Sequence, residues 1–254
     1  MSSRWVQIDG LHNVRDLGGV PLPGGATAYG VVLRGETLVG LTGRGADDVR
    51  HLGVRHVLDL RSVPEREADG DGLLAADYQR SLLLHEHVPL DAPHETGPFG
   101  APDETPTGRA ERFVAYLHRG SFLLADALAR TAWSTSASYV HGAAGCDRTG
   151  VVSALLLELA GAARDDIVDD YLLSGQRLPR VLVRLAERPA YWDLALTDWS
   201  STEPSSDAMA RYLDDLAAQG GARAWLERHA VDPETVDLLA TRLRGEPMVV
   251  RDAG

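Results

Sequence analysis

Tyr139-Val140-His141-Gly142-Ala143-Ala144-Gly145-Cys146-Asp147-Arg148-Thr149-Gly150, running into Val151-Val152-Ser153-Ala154-Leu155-Leu156-Leu157, is the stretch on which the fold turns. Ser138-Tyr139-Val140 reads as a short strand. The apolar run from about Arg148 to Ala160 reads as a central helix that Gly161 closes. A strand that turns through small residues into a helix aims successive backbone N–H groups at one point, and the helix terminus adds about half a positive charge there. Gly142, Ala143, Ala144 and Gly145 put no bulk in the way of an oxyanion, and the Cys146 and Asp147 amides continue the ring. Arg148 brings a planar guanidinium suited to bidentate contact with phosphate. His141 stands at the entry, its ring expected to bond backbone rather than ligand, and Thr149 follows the arginine. A bare Gly-x-x-Gly turn would be structural only. His-x3-Gly-x2-Arg-Thr-Gly ahead of an apolar helix points to a site for phosphate or a similar oxyanion.

Outward from this loop, strands and helices alternate. His56-Val57-Leu58-Asp59-Leu60 is a short apolar run expected as a buried strand, delivering Asp59 and Arg61 to its C-terminal end. Residues 5–8, 26–34 and 78–84 suggest further strands, the second behind the turn-forming Pro21-Leu22-Pro23-Gly24-Gly25. Thr42 is a plausible N-cap for a helix through Leu52 that Gly53 stops. Residues 91–108 are rich in Pro, Gly and acidic residues without apolar periodicity, which predicts a surface loop or lid. A helix over about 109–132 precedes the loop strand, and 164–190 and 206–245 read as mostly helical. The expectation is one α/β domain over residues 1–254, a central sheet flanked by helices with an additional helical C-terminal part at 164–245 and a lid.

The chain has 254 residues, 44% of them hydrophobic, enough for a packed core. No run approaches the ~18 apolar residues of a membrane span, and Met1-Ser2-Ser3-Arg4 does not lead into an apolar signal segment. The single cysteine excludes an internal disulfide or a multi-cysteine zinc site. These features together predict a cytoplasmic protein with no membrane span. A formal net charge of −12 argues against nucleic acid as a partner. All 25 basic residues are arginine, a bias expected of GC-rich codons. His85, His87 and His94 with Glu86 hint at a metal cluster, but His-x-His after a strand is more often solvated, so no metal and no cofactor are expected.

Four separated stretches resemble the bacterial atypical tyrosine phosphatases, sometimes called triple-specificity phosphatases. They are Asn13-Val14-Arg15-Asp16-Leu17-Gly18-Gly19, Leu33-Arg34-Gly35-Glu36-Thr37-Leu38, Leu58-Asp59-Leu60-Arg61-Ser62-x-x-Glu65, and the loop itself. For the loop the family pattern is His-Cys-x-Ala-Gly-Lys-Asp-Arg-Thr-Gly. The resemblance implies a tyrosine-phosphatase-like fold and a cysteinyl-phosphate mechanism on phosphotyrosine, phosphoserine or phosphoinositide. It also implies acid–base work by Asp147 or Asp59. Arg61, Arg34 and Asn13 lie in matching stretches; each could support the pocket or serve only as a structural brace. Two positions depart from the pattern. Gly142 stands where the family has its nucleophilic cysteine, and Cys146 where it has lysine.

Removing a nucleophile commonly lowers a rate by about 10⁴–10⁶. Binding should respond in the opposite sense, because a thiolate about 4 Å from a phosphate charge repels it by roughly 4 kcal/mol at an effective dielectric near 20. The sequence leaves four readings open. The chain is an enzyme on a phosphorylated small molecule by another route, either water-mediated hydrolysis or elimination of phosphate. It is a pseudophosphatase that binds a phosphorylated ligand or protein. Cys146 is a relocated nucleophile, against which its place in the loop argues. Or Gly142 was introduced to trap a ligand. Neither the organic part of the ligand nor the oligomeric state is legible.

Overall fold

The computed structural model describes residues 4–79, 82–90, 106–191 and 202–246. Its centre is a five-stranded sheet built from β1 (Val14–Asp16), β4 (Val32–Gly35), β5 (Val54–Asp59), β6 (Leu84–His87) and β7 (Ala137–His141), in the order β1-β4-β7-β5-β6. A small hairpin, β2 (Pro21–Leu22) with β3 (Gly25–Ala26), stands apart from it. Only β1 runs antiparallel; β4, β7, β5 and β6 are mutually parallel. Their C-terminal ends therefore share one edge of the sheet, where open α/β sheets place their ligands.

Alternation along the strands decides which residues face which layer. Val32, Leu58 and Val140 belong to the larger core, and Leu33, Val57 and Tyr139 to a smaller one on the opposite face. The smaller face is covered by α1 (Gly43–His51) and by the 3-10 turns at Leu38–Gly40 and Gly72–Leu74. The larger core draws on α4 (Pro106–His118), α5 (Ser121–Trp133), α6 (Asp147–Ala160), α7 (Arg164–Leu172), α8 (Leu178–Ala186), α9 (Ser206–Ala218), α10 (Gly221–Arg228) and α11 (Pro233–Arg244). Helix α6 is buried along nearly its whole length, and its N-terminus abuts the end of β7. No helix among the described residues is long and apolar enough to cross a membrane.

Several sequence expectations hold. Thr42 caps α1 by accepting from the Gly45 amide, and Gly161 ends α6 in the left-handed conformation. Others need correction. Residues 5–8 contribute only an isolated bridge between Trp5 and Arg15. The strand expected over 26–34 begins at Val32, because Gly30 at φ +73° interrupts it and Asp16 holds the Gly30 amide. The span 78–84 is not a strand; α3 (Ala75–Gln79) ends within it and β6 starts at Leu84. That helical turn brings Asp77 to Arg50 and stacks Tyr78 on His85, contacts an extended chain would lose. The single helix expected over 109–132 is two, since the Arg119 and Gly120 amides both return to the Ala115 carbonyl. Of the loop expected at 91–108, residues 91–105, His94 among them, lie outside the described residues; 106–108 open α4.

Candidate functional site

The loop 142–146 joins β7 to α6 at the shared C-terminal edge, and its hydrogen bonds are polarised. Its carbonyls are held from outside. His141 O accepts from the Leu60 amide at 2.7 Å, Ala143 O from Thr37 N at 2.9 Å, and Ala144 O from Asn13 Nδ2 at 2.9 Å. Gly145 O takes Arg34 Nη2 at 3.0 Å, and Cys146 O takes the same nitrogen at 3.2 Å. The amides behave differently: among the described residues, those of Ala143, Ala144, Gly145, Cys146 and Asp147 donate to no protein acceptor. Buried backbone donors are nearly always satisfied, and a run of successive amides without protein acceptors at a helix N-terminus is an arrangement able to receive an anion. Gly145 makes the turn possible. Its φ is +70°, and a side-chain carbon there would fall 2.4 Å from the Gly35 backbone.

Behind the cradle lies a buried ionic framework. Arg34 and Arg15 both pair with Asp170, at 2.7 and 3.1 Å, while Arg15 also reaches Asn13 Oδ1 and Arg4 adds a third contact to the carboxylate. Burial and the neighbouring Arg15 lower the Arg34 pKa to about 10, which still leaves it charged at neutral pH. Burial works to raise the Asp170 pKa, but the arginines outweigh it and hold it far below the usual carboxylate range. Asn13 and Arg34 thus sit behind the loop, grasping its carbonyls. Asp170→Asn should destabilise the fold by about 3–5 kcal/mol, since it leaves buried guanidinium groups without a countercharge. A thermal melt would read this as a fall on the order of 10 °C.

Arg148 is aimed by Glu65. The guanidinium end meets the fully buried carboxylate in two contacts, Nη1–Oε2 at 2.6 Å and Nη2–Oε1 at 2.7 Å, with a third from Nη1 to Leu60 O. Glu65 itself is locked by α2 (Val63–Asp69), where it forms a capping box with Ser62. The end of the fork expected to grip phosphate is therefore engaged by carboxylate. It is the Nε edge that lies toward the loop floor, 3.8 Å from where a Gly142 side-chain carbon would stand. That carbon would also lie 3.5 Å from Thr149 Oγ1, which accepts from the Gly142 amide at 2.9 Å. Both are ordinary contact distances, and the backbone at Gly142 does not have positive φ. Nothing in the local geometry requires glycine here.

Two further positions depart from the sequence expectations. Cys146 is buried, 6% exposed, and burial together with Asp147 pushes its thiol pKa up. A buried neutral thiol is inert, so its reading as a relocated nucleophile is not supported. Asp59 is fully buried and tied to Arg61 through Nη2–Oδ2 at 2.6 Å and the Arg61 amide at 3.0 Å. Burial alone would raise its pKa, but Arg61 and the neighbouring histidines hold it well below the usual range. It braces the sheet edge and has no open face for acid–base work. Asp59, Asp71 and His85 come within metal-ligating distance of one another, yet Arg61 Nη2 lies 2.6 Å from Asp59 and 3.7 Å from Asp71 and supplies the cation. His87 bonds the Arg61 carbonyl at 2.7 Å.

Asp147 differs from Asp59 in being accessible, its side chain 28% exposed. Burial works to raise its pKa, but Arg109 and Arg112 of α4, each 3.4 Å from Oδ2, and the Tyr171 hydroxyl 3.0 Å from Oδ1 bring it below the ordinary value. The carboxylate is ionised at neutral pH. His141 bonds the Gly142 carbonyl through Nδ1, as expected, and burial keeps it neutral, lowering its pKa from 6.5 to about 4 against the pull of Asp59. The unfolded chain therefore binds a proton here that the folded chain refuses between those values. Stability is full above pH 6.5 and falls by ~3 kcal/mol as the pH drops to 4, at about 1.4 kcal/mol per pH unit. Denaturant melts of His141→Asn should flatten that slope. His56, lowered mainly by burial, adds a smaller component to the same window.

The model of the tyrosine phosphatase family matches residues 6–245 of the chain. The chain belongs to the tyrosine phosphatase family. It is 31% identical to the triple specificity protein phosphatase PtpB of Mycobacterium tuberculosis across 71% of this chain and 73% of that protein. It is 32% identical to a tyrosine-protein phosphatase of Nostoc commune across 80% of this chain and 70% of the relative. Family membership agrees with the mixed sheet flanked by helices and with a phosphatase-type site.

Glu65, Asp170, Arg109 and Arg112 are the site residues that sequence reading did not single out. Signals existed for two of them: Ser62-x-x-Glu65 is a capping-box pattern, and Asp170 lies in Asp169-Asp170-Tyr171-Leu172-Leu173-Ser174, a stretch that also matches the general pattern of the resembled family. The others meet the loop from distant segments.

Proposed function

We propose that the chain acts on a phosphorylated small molecule, holding the phosphate in the 142–148 loop without forming a cysteinyl-phosphate. One observation supports the reading: the loop carbonyls are tied to surrounding groups while five successive amides have no protein acceptor among the described residues, with the Arg148 Nε edge near Gly142. In this reading Ala143 to Asp147 and Arg148 bind the phosphate. Thr149 and Asn13 hold the loop's shape, and Asp147 is the titratable group left to act on the ligand. Asp59 and Cys146 take no part in the chemistry. Membership of a phosphatase family supports the substrate class; the absence of a side chain at Gly142 supports a route other than attack by sulfur.

A second reading, a protein that binds a phosphorylated ligand without turnover, is favoured by the same Gly142, since a cradle freed of a thiolate binds phosphate more strongly. The two separate on incubation with a panel of sugar, nucleotide, amino-acid and lipid phosphates, followed by phosphate release and mass spectrometry. Product that disappears in the folded double variant Arg148→Met with Glu65→Gln supports the enzyme. Saturable binding across the panel with no product supports the binding protein.

A further inference from the structure

Attack on a cradled phosphorus has to come in line with the bond that breaks. With the phosphate oxygens on the loop amides and the ester oxygen toward solvent, the attacking side is the floor at Gly142. That floor is lined by Thr149 Oγ1 and by Cβ and Nε of Arg148. Asp59 is committed to Arg61 and His141 to the Gly142 carbonyl, so neither side chain stands ready to take a proton from a floor water. The accessible carboxylate, Asp147, is instead at the helix mouth, with two arginines 3.4 Å away and a tyrosine hydroxyl donating to it. These contacts keep it anionic. An anion there gives no proton to a departing alkoxide, but it can take one from carbon.

We propose that the site releases phosphate by elimination, with Asp147 as the base. The ligand class is a phosphate monoester in which the carbon next to the ester-bearing carbon carries a hydrogen acidified by a carbonyl or carboxyl group. The Asp147 carboxylate removes that hydrogen, and the C–H electron pair becomes the new C=C bond. The C–O bond to the ester oxygen breaks, its electrons leaving on phosphate, which the amides and Arg148 stabilise. The proton then passes from Asp147 to the phosphate, which departs as hydrogen phosphate; no water is consumed and no electrons are exchanged. This inference rests on the phosphate-handling reading above and specifies its substrate class.

The test incubates the protein in ¹⁸O-water with O-phosphoserine, O-phosphothreonine and a β-phosphoryloxy ketone, alongside phenyl phosphate, which has no such hydrogen. The expected result is an unsaturated ketone from the β-phosphoryloxy ketone, pyruvate or 2-oxobutanoate with ammonia from the phosphoamino acids (the hydrolysis products of the enamines first formed), phosphate free of ¹⁸O, a slowed reaction when the acidic hydrogen is deuterium, and nothing from phenyl phosphate. Asp147→Asn should lower turnover at least 100-fold while binding inorganic phosphate at least as tightly as the parent, and Asp147→Glu should restore part of it. Solvent oxygen in the phosphate, unchanged turnover in Asp147→Asn, or no product from any of the three β-substituted esters would each overturn the proposal. If inorganic phosphate still binds, the cradle survives such a failure; if it does not, the broader reading fails as well.

Discussion

Gly142→Cys is expected to gain phosphatase activity on p-nitrophenyl phosphate, by 10³-fold or more over the parent. The expectation follows from what surrounds the missing side chain. Its carbon would meet Thr149 Oγ1 at 3.5 Å and Arg148 Nε at 3.8 Å, so a thiol enters without displacing either. Loop amides and the guanidinium would favour the thiolate, as they favour any anion at that spot. Restoring a nucleophile to a loop that then departs from the family pattern only at Cys146 should recover a large part of the roughly 10⁴–10⁶ its removal commonly takes away. Two measurements check it: a burst of nitrophenolate in rapid mixing, and a phosphorylated protein trapped by acid quench. The variant should also bind inorganic phosphate more weakly than the parent above the thiol pKa. A folded Gly142→Cys protein that binds phosphate and shows neither burst nor turnover would mean that the surrounding groups no longer form a phosphatase site.

The second large effect concerns Arg148. Charge-assisted hydrogen bonds contribute about 1.5–3 kcal/mol each, so removing the guanidinium edge should weaken inorganic phosphate binding by about 100-fold or more. Arg148→Met alone would strand the buried Glu65 carboxylate, which costs about 3–5 kcal/mol and risks unfolding. The paired change Arg148→Met with Glu65→Gln avoids this. It should fold with near-parent stability and bind phosphate as poorly as the single variant, by isothermal titration calorimetry. Arg148→Lys should also bind poorly, because an ammonium cannot meet Glu65 and a phosphate edge-on at once. Parent-like affinity in the double variant would remove Arg148 from the site.

What the sequence disclosed follows a physical division. The loop and α6 were legible because strand, small residues, arginine and apolar helix are contiguous, and contiguous patterns carry their geometry with them. Thr42 and Gly161 were legible for the same reason: a cap is a local event. Misreadings fell where tertiary contacts choose between local options. Residues 78–84 look like a strand, yet the pairing register of β6 with β5 begins at Leu84, and Tyr78 is needed to stack on His85. The long helix before β7 carries a continuous apolar pattern, but it breaks between His118 and Ser121, and α5 lies against α11. The site divides in the same way. Arg148 announces itself, whereas its partner Glu65 lies 83 residues away and Asp170 reaches Arg34 across 136. Asp59 and Asp147 look alike as acid–base candidates in sequence. Only burial separates them, one sealed against Arg61 and the other open at the mouth of α6.

The same division explains how an acidic chain could hold the anion proposed for it. Net charge describes the distant field, whereas at the loop the nearest groups are Arg148 with its Glu65 partner, Asp147, the α6 terminus and the amides without protein acceptors. Arg34, Arg15 and Asp170 contribute by fixing the carbonyls on the outer side, which leaves the amides no alternative orientation.

The most direct test of the cradle is a titration of inorganic phosphate followed by amide ¹H–¹⁵N spectra of the parent protein. Saturable shifts concentrated on the amides of Ala143, Ala144, Gly145, Cys146 and Asp147 are predicted, with Arg148 Nε moving in step. Shifts confined to other parts of the chain, or none at phosphate concentrations that saturate other phosphate loops, would contradict it.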